Sequence, residues 1–265
     1  MALPFDRYCM EITNQTDQLR AVIDGADLTT AVPTCPGWNV GQLARHIGGG
    51  QRWAAAAVQR RVQEPLPDDE LEFRDLSLYV NEEPVELDFW LGVGAAQLAG
   101  ALAAAGEGLP LWTPVPTMPT SDFYARRFAN EVVVHRADAT LALGKDYAVD
   151  AEVAADAIDE WLELGSLPVM FEHHPRTREL LGPGRTLHFH ATDGLPDQHA
   201  DWAIDLTGDV ITWRRAAEDA AVTINGPLTE LLLVIYRRRP LAEANIEILG
   251  DRELFEFWLD RVSFG

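Results

Sequence analysis

The spacing of apolar residues changes once along this chain, and that change divides it into two parts. Through the first 165 residues apolar side chains recur at helical intervals; after residue 185 they alternate, as in a half-buried strand. In the first part a helix is expected over 5–23, ending near Gly25. Asn39 followed by Gln42 has the form of an N-cap with its reciprocal partner, opening a helix to about Arg61 that carries Val40, Leu43, Ile47, Ala54 and Val58 on one face. A polar, Pro-containing stretch over 63–83 reads as a loop or broken segment. Pro84 suits the first turn of a third helix running to Gly106. After a Pro- and Thr-rich loop over 114–120, Ser121 is expected to cap a fourth helix and Gly144 to end it. A shorter helix over 151–164 follows.

In the second part Leu187, Phe189 and Ala191 alternate with Thr186, His188, His190 and Thr192. Residues 202–206 and 210–213 flank Thr207-Gly208-Asp209, a hairpin signal. A strand over 221–224, a helix over 227–236, a strand over 245–249 and a closing helix over 252–262 complete the pattern. The fold class expected is two-domain, α + (α+β): a helical bundle over 1–165, then a smaller α+β domain over 166–265 with an antiparallel-type sheet.

Composition narrows the function. Lys and Arg number 21 against 42 Asp and Glu, a formal charge of −21. Nucleic acid and anionic lipid are bound by clustered Lys and Arg, so neither is an expected partner. Cys9 and Cys35 form no framework of disulfides and no CxxC pair. The start, MALPFDRYCM, lacks the basic and apolar segments of a secretory signal, and the weakly polar run over 93–106 is short for a bilayer. A soluble cytoplasmic protein, monomer or weak homodimer, is expected.

Chemistry concentrates in the helical part. Glu131 and His135 stand four apart on the fourth helix, hence on one face. His46, on the second helix, is the other histidine of that half. Two nitrogens and a carboxylate from facing helices are a ligand set for a divalent metal, zinc first among the candidates. Asp138, one turn beyond His135, is placed to orient it from behind. The plainer alternative is a surface pair, with Arg127 one turn before Glu131 and His46 a core histidine. Gly48-Gly49-Gly50 is costly inside a helix, at about 1 kcal/mol each. Either close packing or room for a ligand explains it, with Trp53 as a pocket wall or as core. His188 and His190 read as a polar strand face toward water. Neither cysteine has a histidine base near it in sequence.

The order of these motifs resembles the mycothiol-dependent maleylpyruvate isomerase family, whose N-terminal half is a DinB-like four-helix bundle. The likeness rests on Val32-Pro33-Thr34-Cys35-Pro36-Gly37-Trp38-Asn39-Val40 continuing to His46, and on residues 131–138 read as EVVVHRAD. It extends to TLHFHATD at 186–193, to Gly226, and to YRRRP at 236–240. The resemblance implies zinc held by His46, Glu131 and His135, and mycothiol as a thiol cosubstrate entering between the domains. Gly49, Gly50 and Trp53 are candidates to line its site, and Arg238 is the candidate to bind a substrate carboxylate. A metal-activated thiolate adds to an activated double bond, permits rotation and leaves, which is cis–trans isomerisation; if it stays attached, the reaction is thiol transfer. Two other readings stand beside this: a metal-dependent hydrolase without mycothiol, and a non-catalytic protein that binds a small molecule or metal.

Overall fold

The computed structural model describes residues 2–67, 75–193 and 200–262. Leu3–Tyr147 forms one compact unit and the chain from Ala148 onward another. The first holds α1 (Phe5–Ile23), α2 (Val40–Arg60), α3 (Pro84–Ala105) and α4 (Ser121–Ala142). α1 and α2 both pack against α3 and α4, and α3 also touches α4, which closes a four-helix bundle.

Local chemistry accounts for most of the helix ends. The Asn39 side chain accepts from the Gln42 backbone N–H at 2.8 Å, and the Asn39 N–H donates back to Gln42 Oε1 at 3.0 Å. This reciprocal cap fixes where α2 begins, and so where His46 stands. Gly144, at φ +65°, follows the end of α4 in the left-handed region. Ser121 departs from expectation. Thr120 occupies the cap position without a side-chain bond. The Ser121 hydroxyl instead donates to the Gly106 carbonyl at 2.7 Å and accepts from the Leu109 N–H at 3.1 Å, tying α4 to the loop before it. Within the stretch expected to be loop, Leu76–Leu78 makes a 3-10 turn; residues 68–74 lie outside the described residues.

α3 extends back to Pro84, so its apolar segment is longer than the 93–106 run, and by length and hydropathy alone it meets the requirement for crossing a membrane. Its Leu87, Leu91, Leu98 and Leu102 are completely buried in the bundle, the role of a core helix. α4 is enclosed on most sides: Val132, Val133 and Val134 point in three directions and all are buried.

The second unit holds α5 (Ala151–Gly165), α6 (Met170–His173), α7 (Leu228–Ile235), α8 (Arg252–Arg261) and one sheet. Its strands are β1 (Thr186–Ala191), β2 (Asp201–Asp205), β3 (Thr212–Arg214), β4 (Val222–Gly226) and β5 (Glu247–Gly250), in the order β3-β2-β1-β4-β5. The sheet is mixed rather than wholly antiparallel. The β2–β3 hairpin occupies one side of β1, and the chain returns on the other, so β1 and β4 run parallel while the remaining pairs are antiparallel. Leu187 and Phe189 are fully buried, and the Phe189 ring meets Phe255 and Trp258 of α8.

α5 stands with the sheet, not with the bundle as a boundary after residue 165 would have it. Its Trp161 ring packs on Tyr236 and Trp258, and its Asp159 carboxylate accepts from Trp202 Nε1 at 2.9 Å and from Arg215 Nε at 2.7 Å. The apolar face of α5 is satisfied by partners that come later in the chain.

Candidate metal centre

α2 and α4 bring His46, Glu131 and His135 together. Nε2 of His46 and Nε2 of His135 each lie 3.2 Å from Glu131 Oε1, and the ligand atoms of all three residues lie within 4.8 Å of one another. The two imidazoles meet edge to face, with centroids 5.1 Å apart. The Trp38 ring stands 4.9 Å from that of His46 and limits its rotation. Trp38 is delivered by a tight turn, Cys35-Pro36-Gly37-Trp38, in which the Trp38 N–H donates to the Cys35 carbonyl at 3.1 Å. Gly37 takes φ +87° there, as the third residue of a type II turn requires.

Behind His135 lies fully buried Asp138, whose Oδ2 accepts from Nδ1 at 2.8 Å. Asp138 is itself held: the Thr34 hydroxyl donates to Oδ1 at 2.6 Å and the Cys35 thiol to Oδ2 at 3.5 Å. A carboxylate on Nδ1–H sets the tautomer of the ring and turns Nε2 toward Glu131. On the other side, Arg127 Nη2 donates to Glu131 Oε2 at 2.8 Å.

These contacts set the charges. Burial opposes the charge on Glu131, but the Arg127 guanidinium, with His135 and His46, holds its carboxyl well below the ordinary range. Burial likewise opposes an imidazolium at His135, yet Glu131, Asp138 and Cys35 together raise it well above the ordinary histidine value. Without a cation, His135 is thus a charged ring clamped between two carboxylates. To hold a cation at Nε2, His135 would have to give up that proton, because only the neutral ring has a lone pair to give. The donors (two imidazole nitrogens and one carboxylate oxygen) form a set that zinc takes. The residues present fit the group.

The other residues singled out from sequence lie as follows. The space at Gly48 is filled by Trp90: a Cβ there would stand 2.2 Å from the ring, which is itself flanked by the guanidinia of Arg45 and Arg52. Gly49 is buried in α2. At Gly50 a Cβ would meet Phe128 Cε1 at 3.1 Å. Trp53 stands among Trp112, Tyr124 and Phe128. Arg238 belongs to the second unit, in the turn after α7, where its Nη1 donates to the Tyr236 carbonyl at 2.7 Å.

Two features escaped the sequence. Cys35 has no histidine near it along the chain, but folding places its sulfur with His135 and Asp138 in a second group of potential ligands. His188 and His190 do not simply face water: the His188 side chain is only 12% exposed, and both rings share Asp201 Oδ1, at 2.9 and 2.8 Å. The register that sets His190 opposite Asp201 creates this contact, and nothing local announces it. Glu172, His173 and His174 take part in neither group of potential metal ligands found among the described residues.

Comparison with known proteins gives a consistent picture. No curated protein matches this chain in sequence. Solved structures do match in fold, among them the following two. The crystal structure of the mycothiol-dependent maleylpyruvate isomerase aligns over 93% of each chain, with a TM-score of 0.59 at 14% identity. A histidine-to-alanine mutant of it aligns over 92% of this chain and 93% of its own, with a TM-score of 0.59 at 13% identity. The family model of the mycothiol maleylpyruvate isomerase N-terminal domain matches residues 9–140, and that of the MDMPI C-terminal domain matches 152–257. The first match spans the four-helix bundle with its histidines and carboxylates and the second spans the sheet unit, so the chain belongs to the mycothiol-dependent maleylpyruvate isomerase family.

Proposed function

We propose that this chain is a divalent-metal enzyme that uses mycothiol, either to isomerise maleylpyruvate-like unsaturated acids or to transfer the thiol to an electrophile. The observation that carries the reading is the convergence of His46 Nε2, Glu131 Oε1 and His135 Nε2, with Asp138 behind the last of them. Zinc in such a set lowers the pKa of a thiol, so that at neutral pH it is a nucleophile. The chain's own residues do the rest. Asp138 keeps Nε2 of His135 turned toward the site, and Thr34 and Cys35 keep Asp138 in place. Trp38 restrains His46.

Elemental analysis of tag-free protein, followed by assays with mycothiol and unsaturated diacids, tests this. About one zinc per chain is expected from a single tetrahedral set, with turnover that depends on added mycothiol. Metal with turnover but no thiol dependence would favour a hydrolase. Metal and retained ligand without turnover would make the protein a binder.

A further inference from the structure

Resting on the metal reading above, we propose that Arg127 is a positioning residue that restricts Glu131 to one coordinating oxygen and so keeps a place beside the cation for a small thiol. Glu131 has two oxygens, and the structure gives them different work. Oε1 faces both imidazoles at 3.2 Å, whereas Oε2 is engaged by Arg127 Nη2 at 2.8 Å. Arg127 stands one helical turn before Glu131, so the backbone of α4 sets their separation. The side chains are 21% and 29% exposed, which leaves the pair partly sheltered from water and salt.

The consequence follows from coordination chemistry. Catalytic zinc takes three protein ligands and leaves one position for an exogenous group. A carboxylate that chelates through both oxygens competes for that position. To chelate here, Glu131 must swing Oε2 toward the imidazoles and give up a charge-assisted bond to a planar donor. Arg127 therefore favours the arrangement in which a thiol can bind. The plainer role, an i,i+4 ion pair that only steadies α4, predicts no effect on thiol binding.

Cobalt(II) as the probe metal and 2-mercaptoethanol as the probe thiol separate the two. Full-length protein loaded with cobalt is titrated with the thiol while the near-ultraviolet sulfur-to-cobalt band is followed. Arg127→Gln should keep its cobalt yet bind the thiol at least about tenfold more weakly, the scale of an outer-sphere partner. Arg127→Lys, which retains the charge but not the fork, should fall between. Equal thiol affinity in Arg127→Gln and wild type overturns the inference. So does loss of cobalt from an Arg127→Gln protein whose circular dichroism is unchanged, since Arg127 would then serve retention of the metal itself. Wild type that takes up no cobalt, or shows no sulfur band, removes the proposed function and this inference with it.

Discussion

Each unit of this protein sets a carboxylate between two histidines, and the two sets differ in ways that residue type does not reveal. In the sheet unit Asp201 Oδ1 lies 2.9 Å from His188 Nε2 and 2.8 Å from His190 Nδ1, the lengths of charge-assisted hydrogen bonds. The rings stand 6.3 Å apart, and the trio is not among the groups whose ligand atoms gather within 4.8 Å. In the helical unit the separations from Glu131 Oε1 open to 3.2 Å, the rings close to 5.1 Å, and Asp138 holds the far nitrogen of His135. The first arrangement satisfies a buried carboxylate with two donors. The second gathers two Nε2 atoms and a carboxylate oxygen within 4.8 Å of one another. Histidine and carboxylate in the right number are therefore not enough to mark a candidate metal site; spacing, and an outer residue that fixes the ring, single one out.

The largest difference is expected when each carboxylate is removed. Glu131→Ala should abolish stoichiometric metal in elemental analysis. Asp201→Ala should leave metal content unchanged and cost about 1–3 kcal/mol in urea melts, the penalty of stranding the largely buried His188 donor. Metal lost from the Asp201 variant would reverse the assignment of roles. A smaller effect is expected at Asp138. Its replacement by Ala should weaken zinc about 10- to 100-fold in a chelator competition; unchanged affinity would mean that the ring is oriented by its packing alone.

The smallest effect separates the units by pH. Burial opposes the charge of Asp201, but His190 and His188 hold its carboxyl below the ordinary value of 3.8. The folded state then binds the proton less readily than the unfolded one, so this contribution is full above 3.8 and fades as pH falls through the folded value. Asp201→Asn should flatten the acid limb of stability by at most about 1.4 kcal/mol per pH unit. His135 has the opposite sign. Raised in the metal-free protein, it contributes fully below 6.5 and less as pH rises through its folded value. Urea melts of metal-free wild type and His135→Gln should diverge most on the acid side of that range; parallel curves would show that the ring is not charged when the metal is absent.

What could be read in the sequence was local. The Asn39–Gln42 cap, the Glu131–His135 spacing and the alternation around Phe189 each depend on residues within about one turn or one pleat of each other. Those features located α2, α4 and β1, and the sequence singled out His46, Glu131 and His135 with Asp138 one turn beyond. Other parts were not legible because their partners are distant. Thr34 and Cys35 meet Asp138 across 104 and 103 residues. Gly48 is explained by Trp90 of another helix, and α5 by aromatic residues that follow it by some 75 to 100 positions along the chain. Arg127 lay between the two cases: its spacing from Glu131 was visible, but not which carboxylate oxygen it would take.

By itself, then, the sequence determined the element types, the two-part division and the residue kinds at the centre, because hydrophobic period, capping and turn chemistry act over a few residues. The tertiary structure decided which carboxylate meets its two imidazoles within a compact group of potential ligands, where α5 belongs, and what clamps Asp138. Those outcomes turn on contacts between side chains far apart in sequence, and such contacts are fixed only when helices and strands pack.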